Sequence, residues 1–266
     1  MTPVSVVQGS GPVVLGLPHA GVFVPSDMRA NLNATGRKLT DTDWHIDRLY
    51  EGLLPHVTTV KANFHRYVID ANRDPTGKSL YPGQNTTMLI PLTDFDGAPI
   101  WDVPPNPRDL EARLEAFHTP YHAALAAELD RVRAMHGVAI LYDCHSIRSV
   151  IPHLFENILP DFNIGTNCGA TCAPDVEAAA VAICEDATLY STVLNGRFRG
   201  GWTTRRYGQP ALGIHAIQME LAQSTYLRDE ADPWVFDEDK AARLRPHLTK
   251  ILSTLAGLAP TLGGST

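Results

Sequence analysis

The chain has 266 residues, of which 44% are hydrophobic and 19% charged, with a formal net charge of −7. That length and apolar content suffice to bury a substantial core, so one domain covering residues 1–266 is expected. The acidic balance excludes a sequence-independent nucleic-acid binder, which needs Lys and Arg to displace counterions from phosphates, and no uncharged apolar run is long enough to span a bilayer.

Met1 to Gly11 carries neither a basic n-region nor an apolar h-region, so a soluble cytoplasmic protein is expected. Val13 to Leu17 is an apolar run with β-branched residues closed by Pro18, which reads as a buried strand delivering His19 onto a loop. From Asp41 to Leu54 the residues Trp44, Ile46, Leu49, Tyr50, Leu53 and Leu54 have helical spacing, with Thr40 or Asp41 as N-cap, and predict a helix. Val57–Ala62 and Tyr67–Asp70 read as strands. Asp74 to Pro107 is rich in Pro, Gly, Asn and Asp and predicts a long irregular excursion, a kind of segment that is often functional. Leu110 to Met135 has helical spacing broken at Pro120 and ended by a His136-Gly137 C-cap. Val138–Tyr142 then reads as a second buried strand, ending at Asp143-Cys144-His145-Ser146. Asp175–Glu185 has a helical pattern, Ala216–Leu221 looks like a further strand, and Asp237–Leu258 like a closing helix.

Strands alternating with helices, with no internal repeat or linker, predict an α/β class with a central mixed, mostly parallel sheet flanked by helices. Cys144, Cys168, Cys172 and Cys184 form no dense disulfide framework, and no second pair follows Cys168 and Cys172 at the spacing of a structural zinc module. Four free thiols are expected.

Two apolar strands end in a histidine, and in open α/β sheets the ligand crevice lies beyond the carboxyl ends of the strands. His19 and His145 are therefore candidate ligands of a catalytic Zn²⁺ or another divalent metal, which takes three protein ligands and leaves one position for water. Among the residues at 41–47, Asp41 is accounted for by capping, and Asp43 is the first choice for third ligand, with His45 and Asp47 as alternatives. Glu220 interrupts an apolar run, where burial raises a carboxyl pKa toward the range of a general base. Arg66, Arg73, Arg197, Arg199, Arg205 and Arg206 concentrate planar guanidinium groups in an acidic chain, a pattern suited to a small dicarboxylate substrate.

These residues fall in ordered motifs: Pro18-His19-Ala20-Gly21, Asp41 to His45, Arg66 to Arg73, Leu80 to Gln84, Asp143 to Ile147 and Leu194 to Gly201. Together, from about residue 10 to about residue 230, they resemble the N-formylglutamate deformylase family of bacterial histidine breakdown, which is similar in fold to the zinc carboxypeptidases and aspartoacylases. The resemblance implies a zinc-carboxypeptidase-like (phosphorylase/hydrolase-like) fold and hydrolysis of N-formylglutamate to formate and glutamate. It further implies His145 and His19 as zinc ligands, Glu220 as the base that activates water, and Asn72-Arg73 as the pair that holds a substrate carboxylate, helped by Arg66, Arg197 or Arg205. One departure is visible: carboxypeptidases carry His-x-x-Glu as the first ligand pair, whereas Ala20, Gly21 and Val22 follow His19. The carboxylate ligand must come from another segment, and Asp43, His45 and Asp47 stay open. The rival readings are a related zinc enzyme for another N-acyl amino acid and a non-catalytic carboxylate-binding protein; a monomer or small homo-oligomer is expected.

Overall fold

Strands rich in aliphatic residues and buried on both faces make the middle of the sheet, as a parallel arrangement covered by helices requires. In this computed structural model, which describes residues 1–79 and 83–263, those strands are β2 (Val13–Leu17), β4 (Ala139–Ile147) and β7 (Ile214–Ala222). With β1 (Val4–Val7), β3 (Thr58–Ala62), β5 (Phe162–Gly165) and β6 (Thr192–Leu194) they form one sheet in the order β1-β3-β2-β4-β7-β5-β6. The four central strands run parallel, whereas β1 and β5 pair antiparallel to their inner neighbours. The expected α/β class with a mixed, mostly parallel sheet is what forms.

Seven helices flank the sheet among the described residues: α1 (Ser26–Asn31), α2 (Ile46–Tyr50), α3 (Asp109–Arg113), α4 (Thr119–His136), α5 (Pro174–Asp186), α6 (Trp202–Tyr207) and α7 (Glu238–Leu262). Alternation along the strands divides the core in two. Val13, Leu15, Ile140 and Tyr142 pack with residues of α2, α5 and α7, whereas Val14, Ala139 and Leu141 pack with Tyr121, Leu125 and Leu129 of α4 on the other side. After β2 the chain places β3 on one side of it, and after α4 it places β4 on the other. The carboxyl ends of β2 and β4 therefore flank a topological switch point, where a crevice opens in such sheets.

Several local expectations change. The predicted helix from Asp41 to Leu54 reduces to α2, because Asp43 N–H donates to His19 O, Trp44 N–H donates to Thr42 O, and His45 is left-handed at φ 58°. Helical winding starts only at Ile46 and stops before Gly52, at φ 72°. Tyr67 to Asp70 is a turn and coil instead of a strand. Tyr67, Val68 and Ile69 are fully buried, and the backbone finds partners outside any ladder: Val68 O accepts from Arg113 and Asp70 N–H donates to Leu89 O. β4 runs to Ile147, so His145 lies within the strand, not beyond it. Pro120 does not break the helix: Leu114–His118 is wound as a π-helix between α3 and α4, and the proline sits in the first turn of α4, where a missing N–H costs little. Gly137 caps α4 at φ 73°, as expected. The expected irregular excursion holds no helix or strand from Ala62 to Asp109 among the described residues; of the Leu80 to Gln84 motif, Leu80, Tyr81 and Pro82 lie outside them. All four cysteines are free.

Candidate metal and active site

β2 ends at Leu17, and Pro18 turns the chain so that His19 is buried just beyond the carboxyl end of this central strand, at 3% exposure. On β4, Asp143 and His145 share a face because they are two residues apart. The parallel register pairs His145 with Glu220 and Asp143 with Gln218, so the two strands present four polar side chains side by side within a hydrophobic sheet. The loop from Leu39 to His45, tied by Asp43 N–H to His19 O at 3.1 Å, brings a carboxylate to the same place.

Asp43 is the centre of the cluster. Its Oδ1 accepts from Arg66 Nη2 at 2.5 Å, and its Oδ2 accepts from Ser146 N–H at 3.1 Å. The same Oδ2 lies 3.3 Å from His145 Nδ1 and 3.9 Å from His19 Nδ1. One potential ligand atom from each of His19, Asp43 and His145 falls within 4.8 Å of the others. His19 Nδ1 is buried with no hydrogen-bond partner, and a buried polar atom left in this way points to a ligand not otherwise accounted for. Two imidazole nitrogens and one carboxylate form a donor set suited to a catalytic divalent ion such as zinc.

Behind each imidazole stands a second carboxylate. His19 Nε2 is 2.7 Å from Asp70 Oδ1, which also accepts Asn72 N–H at 2.8 Å. His145 Nε2 is 3.1 Å from Asp143 Oδ1, and Asp143 Oδ2 accepts from the Thr204 hydroxyl at 2.8 Å. A carboxylate hydrogen-bonded to the outer nitrogen, as Asp70 is to His19, favours the proton there and turns Nδ1 to face Asp43, the arrangement that orients metal-binding histidines; Asp143 Oδ1 stands beside the outer nitrogen of His145 without a hydrogen-bond partner. Burial lowers the His19 pKa to about 4, with Arg66 adding to the effect and Asp70 opposing it. For Asp43, burial is outweighed by Arg66 and the two histidines, which hold its carboxyl below the usual range. Glu220 is 6% exposed and accepts from Gln218 Nε2 at 3.1 Å; burial, opposed by His145 and reinforced by Asp43, pushes its carboxyl up to about 8.

A cavity of about 70 Å³ opens onto these groups, lined among others by His19, Arg66, Asn72, Arg73, His145, Arg197 and Glu220. Arg73 is anchored by Thr87, donating from Nε to the carbonyl at 3.0 Å and from Nη2 to the hydroxyl at 2.7 Å. Arg197 donates to Leu154 O at 3.0 Å and to Asn85 O at 2.7 Å. The Asn72 amide is oriented by Thr203 N–H, which donates to Oδ1 at 2.8 Å and turns Nδ2 toward His145 Nε2 at 3.2 Å. Gly201 permits this contact, since a Cβ there would stand 2.2 Å from Asn72 Nδ2. Phe95, Leu154 and Phe198 also line the cavity and belong to a small apolar cluster with Ile147, Ile151 and Leu159.

The structure thus brings together His19, Asp43, His145, Glu220, Arg66, Asn72, Arg73 and Arg197. Of the alternatives to Asp43, His45 bonds Trp234 O through Nε2 at 2.7 Å and Asp47 pairs with Lys61 at 2.9 Å; neither joins the cluster. Asp41 is not a helix cap but a buried carboxyl, accepting Phe95 N–H at 3.0 Å and pushed by burial to about 7. Arg205 donates to Gly200 O at 2.8 Å and does not line the cavity. Sequence reasoning missed Asp70, Asp143 and Gln218 as partners. For Asp143 and Gln218 the signal was present: a polar residue two positions before a candidate site residue in a strand shares its face.

Comparison with known proteins agrees with this geometry. The model of the N-formylglutamate amidohydrolase family matches residues 11–227. The chain is 45% identical over 251 residues to N-formylglutamate deformylase of Pseudomonas putida, covering 93% of each chain. It is also 45% identical to the protein of that name from Pseudomonas aeruginosa, over 93% of this chain and 94% of the other. Among solved structures, it resembles N-formylglutamate amidohydrolase from Ralstonia eutropha with a TM-score of 0.81 at 25% identity, over 98% of this chain and 99% of the other.

Proposed function

Because the chain belongs to the N-formylglutamate amidohydrolase family, we propose that it hydrolyses the formamide bond of N-formyl-L-glutamate, releasing formate and L-glutamate, with Zn²⁺ held by His19, Asp43 and His145. The observation that carries the metal reading is the buried, unpartnered Nδ1 of His19 aimed at the carboxylate oxygen that His145 Nδ1 also faces. When bound, the ion supplies Lewis acidity, which acidifies a water and offsets negative charge on the carbonyl oxygen.

The chain's own residues do the rest. Glu220 accepts a proton from the attacking water as the new C–O bond forms, then delivers it to the leaving nitrogen as the C–N bond breaks. Its strand neighbour Gln218 fixes the carboxylate by donating to Oε2. Arg66 holds Asp43 through Oδ1, so that Oδ2 stays turned to the histidines. Arg73 and Arg197, each already braced by loop carbonyls, present charge to the two carboxylates of the glutamate moiety, with Asn72 beside them. Phe95, Leu154 and Phe198 exclude water from the reacting centre. A role at the end of a histidine degradation route and a cytoplasmic location are part of this reading, which the family resemblance supports; among the described residues no helix is long and apolar enough to cross a membrane.

The test is metal analysis of the pure protein combined with formate release from N-formylglutamate, N-acetylaspartate and N-succinylglutamate. Stoichiometric zinc and turnover confined to the first substrate are expected. Absence of both metal and formate would favour a carboxylate-binding protein instead.

A further inference from the structure

The outer nitrogen of His145 has two neighbours that ask opposite things of it. Asp143 Oδ1, a buried carboxylate oxygen 3.1 Å away that has no hydrogen-bond partner, can only attract the proton, whereas Asn72 Nδ2, hydrogen-bonded at 3.2 Å, can only donate one, because Thr203 N–H already occupies the amide oxygen. If Asp143 prevails, Nε2 carries the proton and Nδ1 is bare. If Asn72 prevails, the proton moves to Nδ1, which then cannot ligate a metal. The decision rests on how firmly the Asp143 carboxylate is held against the ring. Its Oδ2 accepts from Thr204 Oγ1 at 2.8 Å, and since a carboxylate has no proton to give, the hydroxyl must be the donor. Thr204 is fully buried in the first turn of α6, and Asp143 is fully buried on β4, so no water is at hand to replace that bond.

The same turn touches the other machinery of the site. Gly201 N–H donates to Gln218 Oε1 at 2.6 Å, which turns Gln218 Nε2 toward Glu220, and Thr203 N–H holds Asn72. Those two contacts are made by backbone groups that any residue supplies. The contact to Asp143 alone depends on a side chain. We propose that Thr204 is a positioning residue for metal binding, acting through Asp143 to keep Nδ1 of His145 free. This rests on the reading of His145 as a metal ligand.

The test is zinc affinity of the full-length protein, measured by competition with a chromophoric chelator, for the parent, Thr204→Val and Thr204→Ser. Valine keeps the shape and removes the donor; serine keeps the donor. Carboxylates that hold metal-bound histidines change affinity by about 10- to 100-fold, and one further step outward should give about 3- to 10-fold weaker binding in Thr204→Val, with Thr204→Ser within about twofold of the parent. The KM for N-formylglutamate at saturating zinc should not move. A Thr204→Val protein that melts at lower temperature yet binds zinc as tightly as the parent would overturn the inference, as would weaker binding in Thr204→Ser than in Thr204→Val, which would assign the effect to packing of the threonine methyl against Gly200. A parent that holds no zinc would remove the metal reading itself, and this inference with it; a zinc-binding parent with an unaffected Thr204→Val removes this inference alone.

Discussion

Replacing Glu220 with Gln should make the protein more stable and nearly inactive. Burial pushes the Glu220 carboxyl from its ordinary 4.5 up to about 8, so the folded chain keeps a proton that the unfolded chain releases. Stability from this proton is fully present below pH 4.5 and is lost as pH rises through 8. At about 1.4 kcal/mol per pH unit, the loss reaches ~3 kcal/mol by pH 7. Glutamine cannot ionise, keeps the bond from Gln218 Nε2, and escapes that loss. Chelator-treated Glu220→Gln should therefore exceed the parent by up to about 3 kcal/mol in urea unfolding at pH 7, roughly 5–10 °C in melting temperature, and match it near pH 4. The chelator matters because a bound cation would favour the ionised carboxylate and shrink the difference. Turnover, read as formate release with zinc restored, should fall by about 10²- to 10⁴-fold. A stability gain that does not change with pH would refute the burial argument, and near-parental turnover would remove Glu220 from the mechanism.

His145→Ala should lose metal, read by elemental analysis, because the two ligand atoms that remain do not make a catalytic site. Asp47→Asn, which loosens the half-buried pair with Lys61 and leaves an oxygen for Arg48 N–H, should retain stoichiometric zinc and full activity. Arg73→Met should raise KM for N-formylglutamate by about 10- to 100-fold, the worth of a charged hydrogen bond to a carboxylate, with metal content unchanged. Gly201→Ala should cut kcat/KM by more than tenfold while zinc content holds, since the added Cβ displaces the Asn72 amide from 2.2 Å; normal kinetics would show that Asn72 is not needed where it lies.

What could be read from the sequence followed from how each segment earns its burial. β2, β4, β7, α5 and α7 announce themselves because their apolar residues lie in continuous runs or at helical spacing. Tyr67 to Ile69 has a strand's composition but no strand beside it; the segment is buried as a turn, and periodicity does not distinguish the two. The Asp41 to Leu54 pattern failed for a related reason: Asp41 and Asp43 look like residues of a helix N-terminus, yet both are turned inward as buried carboxyls. β1, β5 and β6, at three or four residues each, are too short to carry a period. At the site, His19 and His145 were legible as polar residues at the ends of apolar runs, and Glu220 as a carboxylate interrupting one. Asp43 was separable from His45 and Asp47 only once the loop's path was known, because the left-handed turn at His45 sends neighbouring side chains in different directions.

The cluster draws its residues from positions 19, 43, 145 and 220, joined only when β4 has paired with β2 on one side and β7 on the other. These are long-range parallel pairings, which close late because the entropy of the intervening loops must be overcome first. A nascent chain that has emitted His19 and Asp43 but not yet β7 has no Glu220 beside His145 and no Thr204 behind Asp143. Capture of the ion by His19, Asp43 and His145 should therefore follow the pairing of β4 with β2 and not seed it. Refolding rates should then be indifferent to zinc, while the dissociation of the finished sheet slows in its presence.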